Sequence, residues 1–155
     1  MDFSYEIVTD SSSNLQKALV EQYQLPVLPF KYTMNGKDYK VDLFSGPLER
    51  QAFFAAMRLK VEVTTSLVNF AEYTECFEKI LQTGRDILYI GMAAGISGSY
   101  ANAVIAAQEL TEKYPERKIL LIDTMNASFG EGLPVMAALE MRDAGDDLQT
   151  AYEKT

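Results

Sequence analysis

The sequence predicts a three-layer, Rossmann-like α/β domain: a mainly parallel sheet, helices on both of its faces and a β-hairpin at its edge. Three observations predict it. Short apolar runs of strand length alternate along the chain with stretches of helical period, the order that builds a parallel sheet through crossover connections. The segment from Asp86 to Gln108, DILYIGMAAGISGSYANAVIAAQ, passes from an apolar run through a glycine- and serine-rich turn into an Ala-rich helical run. Four predicted strand ends carry small polar residues: Asp10 to Ser13, Thr64 to Ser66, Gly95 to Ser99 and Asp123 to Ser128. In a parallel sheet such ends lie along one edge, where ligands bind.

Phe3 to Thr9 alternates around Phe3, Tyr5 and Ile7 and ends in Asp10-Ser11-Ser12-Ser13, a strand running into a hydroxyl-rich turn. Ser12 or Ser13 can cap the helix that follows, whose period is carried by Leu15, Ala18, Leu19 and Gln22 or Tyr23. Leu25 to Thr33 reads as extended, and Asn35-Gly36 is a two-residue hairpin signal leading to a short strand near Lys37 to Val41. After a loop around Asp42 to Gly46, Pro47 suits a helix start, with Leu48, Phe53, Phe54 and Met57 as its apolar stripe and Arg58 and Lys60 at its close. Val61 to Val63 is a short extended run ending in Thr64-Thr65-Ser66. Asn69, with Glu72 three residues on, caps a helix over Phe70 to Gln82 that Gly84 terminates. Beyond the central glycine turn, the helix from about Ser99 to Lys113 stops at Tyr114-Pro115. Lys118 to Ile122 is the last strand. Leu133, Met136, Ala137, Leu139 and Glu140 or Met141 trace another helix, in which Pro134 must occupy the first turn or impose a kink. The methionines are core filler. Asp146 and Asp147 stand near the start of one more helix.

At 155 residues the chain has the length of one domain with a real core. Neither an apolar run long enough to span a bilayer nor a basic-then-apolar N-terminal segment is present, so stable membrane insertion is not expected and a cytoplasmic location is. The net charge of -8 and the scattered basic residues argue against a nucleic-acid partner. The single cysteine, Cys76, lies at helical spacing from Tyr73, Phe77 and Ile80 and reads as an inert core thiol. The most restrictive count is zero histidines, which removes imidazole-assisted nucleophiles and His-containing metal sites.

The glycine turn is suited to an anion. Glycines allow close approach, hydroxyls donate, and the first N–H groups and dipole of the following helix point at the ligand. Three functional readings compete, beside a fourth in which the polar loops are only caps of a structural or regulatory domain. One is a binding module for an anionic ligand. Another is a magnesium-dependent phosphoryl-transfer enzyme with Asp10 as nucleophile or metal ligand and Asp123 as a second metal ligand. Such sites usually carry another carboxylate two residues after the first, where this chain has Ser12. No lysine follows Gly98, so the phosphate-binding loop pattern is absent. The third is a nicotinamide-dependent oxidoreductase, which the spacing Gly91, Gly95, Gly98 fits poorly. The binding module survives best, with no metal and no cofactor.

Ile7 to Leu15 (IVTDSSSNL), Thr65-Ser66, GMAAGISGSYANAVIAA and IDTMNASFGEGL, in this order, resemble the N-terminal domain of the DegV family of bacterial fatty-acid-binding proteins. The resemblance spans essentially the whole chain. It implies a carrier and not an enzyme: a long-chain fatty acid lies in a tunnel, its carboxylate is held by the Thr of a Thr-Ser motif and the Ser of a Leu-Ser-Gly motif, and a separate fatty-acid kinase phosphorylates it. Carried over by motif, the ligand residues are Thr65 and Ser97. The Gly98 N–H, Ser66 and Ser11 complete the candidate set. Two departures stand out, since Ala93 and Ala94 replace the family's usual Ser-Ser and Leu67 and Val68 replace its usual Gln-Pro. Both remove polar or rigid groups, which implies a head-group pocket that is more apolar or that recognises a different acid. The family also carries a second domain that closes over the ligand, so residues 1–155 are expected to be a single α/β domain, the N-terminal part of a longer two-domain protein.

Overall fold

The computed structural model describes residues 3–41 and 47–155, with the side chains of 47–49 also left aside. The expected loop from Asp42 to Gly46 and the side chain of Leu48 therefore lie outside the described residues. Four strands, β1 (Tyr5–Asp10), β2 (Val27–Leu28), β6 (Asp86–Gly91) and β7 (Ile119–Asp123), form a parallel sheet in the order β2-β1-β6-β7. The two central strands are buried nearly end to end, which is why β6 reads as a continuous apolar run, while Glu6, Thr9 and Asp10 of β1 are buried with hydrogen-bond or ion-pair partners. Their side chains nevertheless divide by face. Val8, Ile87 and Tyr89 pack in one cluster with α3 (Phe70–Leu81) and α4 (Ser99–Lys113). Tyr5, Ile7, Leu88 and Ile90 pack in another with α1 (Lys17–Tyr23), α5 (Phe129–Asp143) and α6 (Leu148–Lys154). This is the three-layer arrangement the sequence predicts.

The hairpin does not extend that sheet. β3 (Lys31–Met34), β4 (Lys37–Lys40) and β5 (Val63–Ser66) make a separate antiparallel sheet in the order β4-β3-β5. Asn35 and Gly36 both take positive φ, 52° and 71°, the conformation a two-residue turn of this hand requires. The segment expected to end a strand of the parallel sheet, Thr64 to Ser66, is itself the strand that pairs with β3. Its residues are exposed and hydroxylic, which suits a half-solvated antiparallel ladder and not a strand covered on both faces. The extended piece from Leu25 to Thr33 is split around Pro29, which has no N–H to give a ladder, into β2 in one sheet and β3 in the other.

Between β4 and β5 lies α2 (Pro47–Arg58), whose Phe53 packs edge-on against Tyr32 of β3, with 5.0 Å between ring centroids. Asn69 and Glu72 form the expected capping box at the start of α3. Asp147 caps α6 by accepting the Thr150 N–H at 2.8 Å. The largest departure is α5, which begins at Phe129, four residues before the expected Leu133, and so encloses Pro134 beyond its first turn. Packing explains the extra turn. Glu131 and Gly132 are buried in it, and Gly132 lies so close to the 3-10 turn η1 (Ser11–Ser13) that a Cβ there would stand 2.7 Å from the Ser13 carbonyl oxygen.

Candidate functional site

The C-terminal ends of β1, β6 and β7 meet at one edge of the parallel sheet, each opening into a polar loop. In the glycine turn after β6, most backbone N–H groups already have acceptors. Met92 donates to Asp10 Oδ2 at 3.4 Å, Ala93 to the Asn126 carbonyl at 2.9 Å, and Ile96 and Ser97 to the Ala93 carbonyl at 2.9 and 3.2 Å. The Ala94 N–H faces both carboxylate oxygens of Asp123 at 3.3 Å, and the Met125 N–H donates to Asp123 Oδ1 at 2.9 Å. Met125 and Ser128 hold positive φ values of 51° and 58°, an unfavourable conformation for side-chain-bearing residues. Asp123 offsets that strain at Met125, and Asn14 does so at Ser128, whose hydroxyl accepts from Asn14 Nδ2 at 2.8 Å. Among the described residues the N–H groups of Gly95 and Gly98 have no protein acceptor, and both glycines are exposed. Ser97 sits beside them, its Oγ 3.0 Å from Ser99 Oγ and accepting the Ser99 N–H at 3.2 Å, so it caps α4 from outside the helix.

Although β5 belongs to the other sheet, its end is fastened to this turn. The Val68 N–H donates to Ser99 Oγ at 3.1 Å, and Asn102 Nδ2 donates to the Val68 carbonyl at 3.0 Å. Gly98 is close enough to Leu67 that a Cβ on it would lie 3.3 Å from Leu67 Cδ2. Thr65 and Ser66 thus end a strand whose next two residues touch Gly98 and Ser99. Opposite residues of an antiparallel pair share a face. Thr65 is paired with Tyr32 and shares its face with the stacked Tyr39, 5.0 Å away from Tyr32. Ser66 is paired with Lys31, which forms an ion pair with Glu72 at 2.6 Å. The structure therefore brings the elements of Thr65, Ser66, Ser97 and Gly98 together. It sets Ser11 apart: this side chain is buried in η1, where its hydroxyl accepts the Phe30 N–H at 3.0 Å.

Beneath the turn runs a buried polar network that sequence reading missed apart from Asp10. Asp10 is 0% exposed and accepts from the Ser12 N–H at 2.9 Å, the Ser12 hydroxyl at 2.6 Å and the Tyr89 hydroxyl at 3.0 Å. The Tyr89 and Tyr73 hydroxyls are 2.7 Å apart. Burial pushes both phenols well above their usual range, so they stay protonated. Glu131, also 0% exposed, reaches Ser12 and accepts from Thr9 Oγ1 at 3.3 Å. Burial, and then the neighbouring Asp10 carboxylate, raise it to about 8. Its place in the first turn of α5 favours the anion by only ~0.3–1 kcal/mol, too little to reverse burial. A signal for Glu131 does exist in the sequence. Glu131, Val135, Ala138, Leu139 and Arg142 form one buried helical stripe with a charge at each end, and charges in such a stripe need partners.

Apolar side chains border the same edge in the open. Ile96 is 66%, Met125 81%, Phe129 72% and Leu133 63% exposed. Two surface clefts of about 380 Å³ lie elsewhere, one at Thr33, Asn35, Gly36, Glu62 and Thr64 and the other around Cys76, whose thiol burial pushes up to about 11. Among the described residues no three His, Cys, Asp or Glu side chains stand together as a metal site. Nor is any helix among them long and apolar enough to cross a membrane.

Comparison with known proteins agrees with this geometry. The family model described as "Uncharacterised protein, DegV family" matches residues 4–155. The DegV domain-containing protein YteA of Lactococcus lactis is 30% identical over 150 residues, which cover 97% of this chain and 52% of that protein. A fatty-acid-binding DegV family protein from Thermus thermophilus superposes with a TM-score of 0.84 at 26% identity, covering 97% of this chain and 51% of that one. The fatty acid binding DegV family protein SAG1342 from Streptococcus agalactiae gives a TM-score of 0.79, also at 26% identity, over 99% of this chain and 52% of that one. The chain spans about half the length of each of these relatives. By its sequence, its topology and the loops gathered at its sheet edge, the chain belongs to the DegV family.

Proposed function

We propose that this chain forms the carboxylate-binding half of a fatty-acid carrier, with the Thr65 and Ser97 hydroxyls and the Gly98 N–H holding the head group. The observation that carries this reading is the fastening of the Thr65 strand to the Gly98–Ser99 turn through Val68, beside an N–H that has no protein acceptor. Ser66 extends the polar rim. Ser11 acts from below by ordering Phe30 and the path into β3. The exposed Ile96, Met125, Phe129 and Leu133 supply one wall for the acyl tail. The other half of the family's length supplies the opposite wall, making residues 1–155 the N-terminal of two domains. The bound acid is then offered to a separate fatty-acid kinase.

Relative magnitudes divide the labour. Each charge-assisted hydrogen bond contributes ~1.5–3 kcal/mol net, whereas each buried CH₂ contributes ~0.8 kcal/mol. For a tail of a dozen carbons or more the hydrocarbon dominates affinity, and the hydroxyls fix which end is presented. Oleate binding to the purified chain tests the assignment, together with mass spectrometry of its organic extract. Thr65→Ala and Ser97→Ala should each weaken binding by about 10- to 100-fold with the fold intact. Unchanged affinity in both variants refutes the site. For the kinase step, ATP-dependent phosphorylation of oleate by a fatty-acid kinase should require this protein and be lost in the same variants.

A further inference from the structure

Ser12 stands between two buried carboxyl groups. Its Oγ is 2.6 Å from Asp10 Oδ1 and within hydrogen-bonding reach of Glu131 Oε2. A hydroxyl has one hydrogen to give. With both carboxyls ionised, one of these contacts would press a lone pair against a carboxylate oxygen in the interior, a costly arrangement. With one proton added, both become hydrogen bonds: one acid donates to Ser12, and Ser12 donates to the other carboxylate. The surrounding donors decide which group keeps the charge. Asp10 also accepts from the Ser12 N–H, the Tyr89 hydroxyl and the Met92 N–H, whereas among the described residues Glu131 accepts additionally only from Thr9. The charge therefore rests on Asp10 and the proton on Glu131.

The groups that face the pair are Leu28 of β2, which is paired with Asp10, Tyr89 of β6, Tyr73 of α3 and the η1 hydroxyls. Among the described residues no ion pair includes Asp10 or Glu131. The buried cation on α5, Arg142, is taken by Glu6 at 2.8 Å. The charge on Asp10 fixes the direction of what lies beyond it. Tyr89 commits its only hydrogen to Asp10, so Tyr73 must be the donor in the 2.7 Å contact between the two phenols.

We propose that Asp10 and Glu131 share one proton through Ser12, and that the charge left on Asp10 holds the Met92 N–H at the root of the glycine turn and the Tyr89 and Tyr73 hydroxyls beneath it. Asp10 and Glu131 are then positioning residues for that turn. Their functional consequence rests on the fatty-acid reading of Ser97, but the proton does not.

Carboxyl-carbon NMR of the chain labelled at Glu and Asp, followed from pH 5 to 9.5, reads the proton directly. One glutamate signal should titrate well above the ordinary carboxylate range and be missing from Glu131→Gln; if every glutamate titrates in the ordinary range, the shared proton is refuted. Amide NMR reads the charge on Asp10, to which the Ser12 and Met92 N–H groups donate. Both signals should follow that titration and no longer do so in Glu131→Gln. Ser12 and Met92 signals that ignore the titration in the unaltered chain, or still follow it in the variant, overturn the assignment. None of these measurements involves a ligand, so they stand apart from the oleate experiment, whose failure would remove only the reading of Thr65 and Ser97.

Discussion

Replacing Gly132 by alanine sets helix propensity against packing, and the structure decides between them. In an exposed helix this change stabilises by about 1 kcal/mol, because glycine is the more costly residue to order. Here the new Cβ would lie 2.7 Å from the Ser13 carbonyl oxygen and 3.3 Å from Leu15 Cδ2. Leu15 can turn away. Ser13 cannot easily do so, because its hydroxyl is bound to the Asp10 carbonyl at 2.7 Å and the adjoining Ser12 is held by both carboxyls. Ordinary contact lies at 3.4 Å or more, so helix and turn must separate by roughly 0.7 Å, and overpacking of this kind costs ~1–3 kcal/mol. Set against the helix gain, the net expectation is a loss of up to about 2 kcal/mol, which for a domain of this size lowers Tm by up to roughly 8 °C. Thermal unfolding followed by circular dichroism measures it. Gly98→Ala is the control: its Cβ would meet only the half-exposed Leu67 side chain at 3.3 Å, and its φ of -70° suits alanine, so its Tm should be nearly unchanged. A Gly132→Ala protein more stable than the parent by the full helix gain of about 1 kcal/mol would refute the account of α5 packing on η1.

Two further outcomes follow from buried charges. Glu131 is raised by burial and by Asp10 from 4.5 to about 8, so the folded protein keeps a proton that the unfolded chain releases. The stability from this group is whole below pH 4.5 and is lost as pH rises towards 8; urea unfolding should show a fall on the order of 1.4 kcal/mol per pH unit in that window, absent from Glu131→Gln. Glu72 and Asp147, both held low, act in the opposite sense and lose their contribution only as pH falls through the acid range. Arg142 is buried against Glu6 and stacked 4.2 Å from the Phe3 ring. Arg142→Ala should cost ~3–5 kcal/mol by leaving Glu6 to the partly exposed Arg85, whereas the joint change of Glu6 and Arg142 to Leu should cost much less. Equal losses in urea unfolding for the single and joint variants would show that the pair is not the cause.

Local chemistry was the legible part of this chain. Asn35-Gly36 specifies its turn because both residues tolerate positive φ, and Asn69 with Glu72 specifies a helix start because each satisfies the other's backbone. The central strand and its glycine turn are equally plain. What escaped is set by distance along the chain. Nothing within Val63–Ser66 says that its partner is β3 and not the parallel sheet, since pairing depends on which edge remains open after folding. The true start of α5 is decided by η1, and Ser12 and Glu131 are 119 residues apart. For the site, the resemblance directs attention to Thr65 and Ser97, while the tyrosines behind them are hidden in stretches that look merely apolar.

Asp123 gives the glycine turn a property that its glycines alone would not. Its carboxylate already occupies the Ala94 and Met125 N–H groups, so the turn enters any encounter with a ligand carrying a negative charge of its own. Much of the positive potential a helix start usually offers is thereby neutralised from within. A doubly charged phosphate ester meets repulsion that a singly charged head group feels about half as strongly. If the proposed head-group site is correct, the loop screens ligands by valence and leaves the choice among single charges to the hydrocarbon they carry.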